Sequence, residues 1–278
     1  MSNTLQTSRP KKPFITGRTI FNIAHKLLLV LLYLFLLSPL FIIAILSFNA
    51  GSSLNLPLQG ISLRWYGELF SNGPLMDGFR VSLIVGAIIA VVDLFIGVSV
   101  AYVIDRFEFP GRSALSGLFL APLMVPTVVL GLALLLVLSP LFLTGTYLGI
   151  AIAHFAVTVP YVVRTTLINL QTADTSCEEA ARVLGAGPIT VFRRVTLPII
   201  MPGVLAGGVM AFIISFDEAV ISLFVASSGR VTLPVEMFRY VEFRADPLVA
   251  ALSFLLILLA LGAVLIVERV VGLRGALK

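Results

Sequence analysis

An all-α integral membrane protein with six transmembrane helices and both termini inside is the fold class this sequence predicts. Three observations carry it. Hydrophobic residues fill 59 % of the 278 positions and charged residues only 12 %, with a mean hydropathy of +1.08; soluble domains carry about 25 % charged residues. The apolar residues gather into runs of the length that crosses a hydrocarbon core of roughly 30 Å as helix. The basic residues are shared unevenly among the segments between those runs.

In chain order, residues 1–26 are a polar, basic tail in which Pro10 and Pro13 oppose one continuous helix. Span one covers Leu27–Phe48, long and without a small-residue cleavage site, and so reads as an uncleaved anchor. A polar loop to Arg80 holds the only tryptophan, Trp65, beside Tyr66, a pair suited to the membrane interface. Span two is Val81–Ile104 and span three Ser113–Leu138, joined by a short charged link. Span four is Tyr147–Ile168, a polar segment fills 169–200, span five is Met201–Ala226 and span six Pro247–Val267. Asp246 and Pro247 suit the N-cap and first position of that last helix. Pro122, Pro126 and Pro160 are expected to interrupt their helices within the membrane. The sequence shows no internal repeat, so one transmembrane domain over 27–268 is expected, followed by a tail at 269–278.

With the N-terminus inside, fourteen of the nineteen Lys and Arg fall on inner segments. Only Arg64, Arg80, Arg230, Arg239 and Arg244 fall outside. The net charge of +5 is therefore an orientation signal rather than a nucleic-acid footprint. Cys177 is the single cysteine, which excludes an internal disulfide, and His25 and His154 are too few and too separated for a metal site.

Residues 169–200 then face inward and read as a two-helix elbow. Thr175/Glu178 and Ser176/Glu179 both have capping-box spacing, and the two glutamates suit a helix N-terminus. Ala180 and Ala181 keep one face narrow. Gly185 permits the left-handed turn that ends the helix, Pro188 opens a second short one, and Leu197-Pro198 closes the segment.

Glu179-Ala180-Ala181, three residues, Gly185, nine residues, then Val195-Thr196-Leu197-Pro198 resembles the EAA loop of ABC-importer permeases. That pattern is E-A-A-x3-G-x9-I-x-L-P, and Val195 in place of Ile is the one departure. The resemblance implies a type I importer permease whose elbow seats in a groove of a cytoplasmic ATPase through Glu178, Glu179, Ala180, Ala181, Leu184, Gly185, Leu197 and Pro198. It also implies an ATPase dimer that carries ATP and Mg, a paralogue as second permease subunit, a periplasmic solute-binding protein, and no cofactor in this chain. Nucleic acid has no place in that assembly, and the chain itself is then a transport subunit of the bacterial inner membrane, not an enzyme.

Three acids fall within expected spans: Asp93 in span two, Asp217 and Glu218 in span five. An acid in a span usually faces a cavity or a partner. On a continuous helix the adjacent pair would point about 100° apart. The stretch Ile213–Ser222, with Thr232-Leu233-Pro234-Val235 and Asp246-Pro247, resembles the polyamine permeases, a likeness running from about Trp65 to Glu268. It implies an acidic lining that attracts an organic amine, with Phe216, Tyr161 and Phe155 as candidate cation–π walls. The bland alternatives for these acids are a paired structural carboxylate, the cap of a local helix break, or a protonated acid. For His154 the bland alternative is a satisfied packing residue.

A second function class, an ion-coupled transporter relaying protons through Asp93, Asp217 and Glu218, explains the acids and leaves the elbow without a purpose. A membrane hydrolase finds no G-x-S-x-G or H-E-x-x-H here, and no P-loop is present. Within the importer class, opine-like solutes and aminoalkyl phosphonates stand beside putrescine and spermidine.

Overall fold

The computed structural model describes residues 17–226, 230–244 and 246–271. The expected basic positions before Gly17, together with Arg274 and Lys278, lie outside the described residues. Among those described, the chain is helical with one isolated antiparallel bridge, Asn49 to Ile61.

Helix α1 is Gly17–Ser47, α2 Arg64–Ser71, and α3 Gly73–Arg106. Helices α4 (Arg112–Leu120) and α5 (Thr127–Leu138) follow, then α6 (Tyr147–Thr172). The polar segment forms α7 (Ser176–Val183) and α8 (Pro188–Val191). Beyond it come α9 (Leu197–Asp217), α10 (Val220–Val225), α11 (Leu233–Phe243) and α12 (Leu248–Val271). Four stretches are long and apolar enough to cross a membrane alone: Ala24–Ser47, Gly73–Arg106, Tyr147–Thr172 and Pro188–Asp217. Each expected span falls on helix, but two are not straight rods.

Span three is one of them. Its two halves meet at 112°, with a 3₁₀ turn over Ala121–Met124 between them. Pro122 and Pro126 each lack an N–H, and Pro126 drives Val125 into extended backbone, so α4 cannot continue into α5. Pro160 behaves otherwise. It is buried within α6, which runs unbroken from Tyr147 to Thr172, so the expected interruption there does not occur.

Span five is the other. Its helix begins at Leu197, not Met201, and stops at Asp217. Ahead of it lies a π turn over Phe192–Thr196. Pro198 and Pro202 cannot donate to carbonyls four residues back, and a wider turn just before them absorbs the mismatch. Leu197-Pro198 therefore opens the membrane helix rather than closing the elbow.

The core is the triple contact of α3, α6 and α9. Helix α9 presents Gly203, Gly207, Ala211 and Ser215 at every fourth position, all buried. Such a row of small residues brings helix backbones together where lipid gives no hydrophobic drive. At Gly207 a β-carbon would lie 3.0 Å from the Val162 Cα, which leaves no room for a side chain. Gly86 meets Phe212 and Gly208 meets Leu94, so α3 and α9 run antiparallel. Helix α1 packs on α12, and Phe48 meets Phe254 edge-on at 5.9 Å. Trp65 is packed inside the protein, 3 % exposed, and its Nε1 donates to the Asn49 carbonyl at 2.9 Å. The Tyr66 hydroxyl donates to Ser47 Oγ at 2.8 Å, so the pair fastens α2 to the end of α1.

Candidate functional site: a polar elbow and an acidic helix break

Two regions carry the polar side chains that packing alone leaves unexplained. The first is the elbow. Helix α7 does not start on either expected capping box, since Thr175 makes no side-chain cap bond. Asp174 takes that place, accepting from the Ser176 hydroxyl at 2.6 Å and its N–H at 2.9 Å. Those two bonds, hydroxyl first, hold the Asp174 carboxyl below the usual carboxylate range. The helix ends as the glycine requires. Gly185 has φ 86°, its N–H donates to the Arg182 carbonyl, and the Ala186 N–H donates to the Ala181 carbonyl. This is the Schellman pair, which satisfies two orphan carbonyls.

The elbow's two glutamates part company. The Glu178 side chain is 3 % exposed and turns back into the protein. Arg106, at the end of α3, reaches it from Nη2 at 2.9 Å and Nε at 3.2 Å. Asp105 pairs with the same guanidinium, and Arg182 approaches Glu178 at 3.4 Å. Glu179 and Ala180 face outward, Ala181 is half-buried, and Val183 and Leu184 are each 87 % exposed at the tip. The capping-box reading failed because Glu178 has a stronger partner, a buried guanidinium 72 residues away in sequence.

The second region is the far end of α9. The helix stops at Asp217, about 30 Å from Leu197 at 1.5 Å per residue, so the acidic pair sits at the end remote from the elbow. Glu218 leaves helical geometry with ψ 102°, and its carboxylate accepts the Ile221 N–H at 2.9 Å, capping the first turn of α10. The pair therefore does not share a continuous helix, and the 100° estimate does not apply. Asp217 is exposed and makes no ion pair among the described residues. Phe216 is half-buried between Phe79 and Phe212, each ring 5.9 Å away. His154, fully buried on α6, sets Nδ1 2.8 Å from Ser215 Oγ and Nε2 2.9 Å from Ser222 Oγ, one serine on each side of the break.

Asp93 and Tyr161 stand apart from this cluster. Phe79 marks the level of Phe216 on α3, and Asp93 lies fourteen residues further along, about 21 Å away. It is fully buried beside Thr158, whose hydroxyl is within reach of the carboxyl but donates to the His154 carbonyl at 2.8 Å, which leaves both Asp93 oxygens without a well-aligned hydrogen bond among the described residues. Tyr161 lines a cavity of about 100 Å³ at the bend between α4 and α5, with Pro122, Thr127 and Val157. Phe155 packs in the apolar core. Arg106, Ser215 and Ser222 carry geometry that no sequence pattern singled out, because each acts through a partner on another helix. His154 was visible only as an isolated histidine in an apolar run.

Among the described residues the chain is helical, with a polar elbow before α9 and an interrupted acidic helix at its far end. The chain belongs to the family of binding-protein-dependent transport system inner membrane components, whose pattern matches residues 93–272. It is thus a multi-pass permease subunit of the inner membrane, part of an ABC importer and not an enzyme. It is 37 % identical over 247 residues to the putrescine transport system permease protein PotI of Escherichia coli K12, covering 86 % of each chain. To the spermidine/putrescine permease PotC of the same organism it is 31 % identical over 230 residues, 83 % of this chain and 87 % of the relative. The sulfate permease CysT of Salmonella typhimurium matches at 31 % over 64 % of this chain and 68 % of its own. In fold it resembles a chain of a bacterial ABC transporter for the acidic polysaccharide alginate, with TM-score 0.73 and 18 % identity over 93 % of this chain and 99 % of that one.

Proposed function

We propose that this permease moves a polyamine, putrescine or spermidine, inward, and that Asp217 and Glu218 receive its ammonium groups. The observation that carries the reading is Asp217: an exposed carboxylate without an ion-pair partner among the described residues, beside a second acid, where an otherwise apolar helix breaks. Two carboxylates beside low-dielectric walls focus a negative potential, which concentrates a dication at the mouth of the pathway. Identity to PotI and PotC over most of the chain supports the same solute class.

In this reading the elbow is the drive point. An ATPase dimer, carrying ATP and Mg, seats α7 in a groove, with Val183 and Leu184 as apolar knobs and Glu179 as the charged contact. Closure of the ATPases moves the elbow, and the Arg106–Glu178 pair passes that motion to α3 and so to the packed α3–α6–α9 unit. A second permease subunit, a paralogue, completes the pathway. A periplasmic binding protein delivers the solute above the acidic end. Alternating access by such rigid-body movement needs no chemistry in this chain.

The test is ATP-driven uptake of labelled putrescine by the reconstituted complex. Asp217→Asn should raise the half-saturating putrescine concentration at least about tenfold, the scale of one charge-assisted contact. Assembly with the ATPase should be retained. Parental uptake by Asp217→Asn would return that acid to a structural role.

A further inference from the structure

The break between α9 and α10 is closed by two fastenings of different kinds. One is the Glu218 carboxylate on the Ile221 N–H, a bond that uses the same group a cationic solute would attract. The other is the His154 imidazole, whose two nitrogens reach Ser215 in the last turn of α9 and Ser222 in the first turn of α10. All three side chains are 0–1 % exposed, so water does not compete for these bonds. A neutral imidazole offers one donor and one acceptor, and a hydroxyl offers both, so the two contacts are satisfied in either tautomer. The remaining tie of this set lies along α6 itself, where the Thr158 hydroxyl donates to the His154 carbonyl at 2.8 Å.

We propose that His154 is the positioning residue of the acidic break: it clips α9 to α10 through Ser215 and Ser222, and so fixes where Asp217 and Glu218 stand. The clip rests on the reading of those acids as the amine-receiving groups. Its consequence is a division of labour. Because the imidazole holds the two helix ends together, Glu218 can release Ile221 and turn to an ammonium group without α10 coming away from α9. Asp217 is the standing charge and Glu218 the movable one. A ring on a third helix is suited to this task, since α6 is tightly packed against α9 and does not share the break.

The experiment has one geometric and one transport reading, made on the assembled complex. A nitroxide is attached at Asp217→Cys in a Cys177→Ser background, Cys177 being exposed, and its mobility is read from the spectral line shape. Putrescine uptake is measured separately in complexes that retain Asp217. His154→Phe and Ser222→Ala should each free the label; Ser222→Ala, which loses one buried hydrogen bond, should raise the half-saturating putrescine concentration roughly fivefold, and His154→Phe, which loses both, at least as much. The maximal rate should fall less than that. Ser222→Thr, which keeps the hydroxyl, should restore parental behaviour, and His154→Phe with Ser222→Ala should do no more damage than His154→Phe alone. Should His154→Phe fail to assemble, the Ser222→Ala and Ser222→Thr pair carries the comparison. An unchanged line shape in the variants overturns the clip. A freed label with unchanged putrescine affinity upholds the clip and overturns the amine-receiving role of the acids.

Discussion

The Arg106 guanidinium holds the Glu178 carboxylate through Nη2 and Nε, at 2.9 and 3.2 Å, and so fastens the first turn of α7 in the elbow to the end of α3. Both side chains are nearly buried, at 12 % and 3 % exposure. Removing one partner leaves Arg106 with Asp105 alone, or Glu178 with the exposed Arg182 alone, and costs part of the about 3–5 kcal/mol of a fully uncompensated buried charge. Arg106→Ala and Glu178→Ala should therefore lower the thermal midpoint of the purified complex and abolish ATP-driven uptake. The swap Arg106→Glu with Glu178→Arg should regain part of both. Recovery will be incomplete, since the new glutamate stands beside Asp105. Single variants with parental stability and uptake would remove the pair from the drive path.

The outward side of the elbow should respond in the opposite sense. Leu184 is 87 % exposed, so Leu184→Asp leaves the fold's packing untouched. It should prevent co-purification of the ATPase while the permease keeps its thermal midpoint. Glu179→Lys should do the same by charge reversal. A complex that still forms at full yield with both changes would show that the ATPase binds elsewhere.

Gly185 is a backbone matter. At φ 86° an L side chain pays about 1–2 kcal/mol, and asparagine less than a branched residue. Gly185→Val should weaken ATPase binding more than Gly185→Asn. A β-carbon there would meet nothing within 4 Å, so any difference reports strain and not collision. Equal binding by the two variants would show that the turn is not needed.

Asp93 should prove dispensable for solute recognition. It is fully buried in the middle of α3, and neither oxygen has a partner among the described residues. An unpartnered buried carboxyl costs on the order of 1–3 kcal/mol, so Asp93→Asn or Asp93→Leu should preserve or raise the thermal midpoint. Putrescine affinity should stay within about twofold, below the scale of one lost hydrogen bond. A large loss of affinity with unchanged stability would put Asp93 in the pathway.

Much of this was legible in the sequence, and most of the failures share a cause, Pro160 and Leu197-Pro198 being local exceptions. The expected spans fall on helices, four of them long and apolar enough to cross a membrane alone, and the Gly185 and Pro188 punctuation gave the elbow's two helices, because these are local signals. The bend at Pro126 was legible for the same reason. What escaped depended on distant partners. Glu178 looked like a capping residue until Arg106 arrived from 72 positions away. The acidic pair fell within one expected span, and for Glu218 it is the alternative reading, the cap of a local helix break, that the structure bears out through the Ile221 N–H.

Inward transport of amines under ATP control is tested in proteoliposomes bearing the complete complex. With binding protein outside and ATP inside, putrescine and spermidine would be compared with sulfate and a neutral sugar. The account predicts uptake confined to the two amines and dependent on ATP. ATP-dependent uptake of sulfate or the sugar in place of the amines would contradict it.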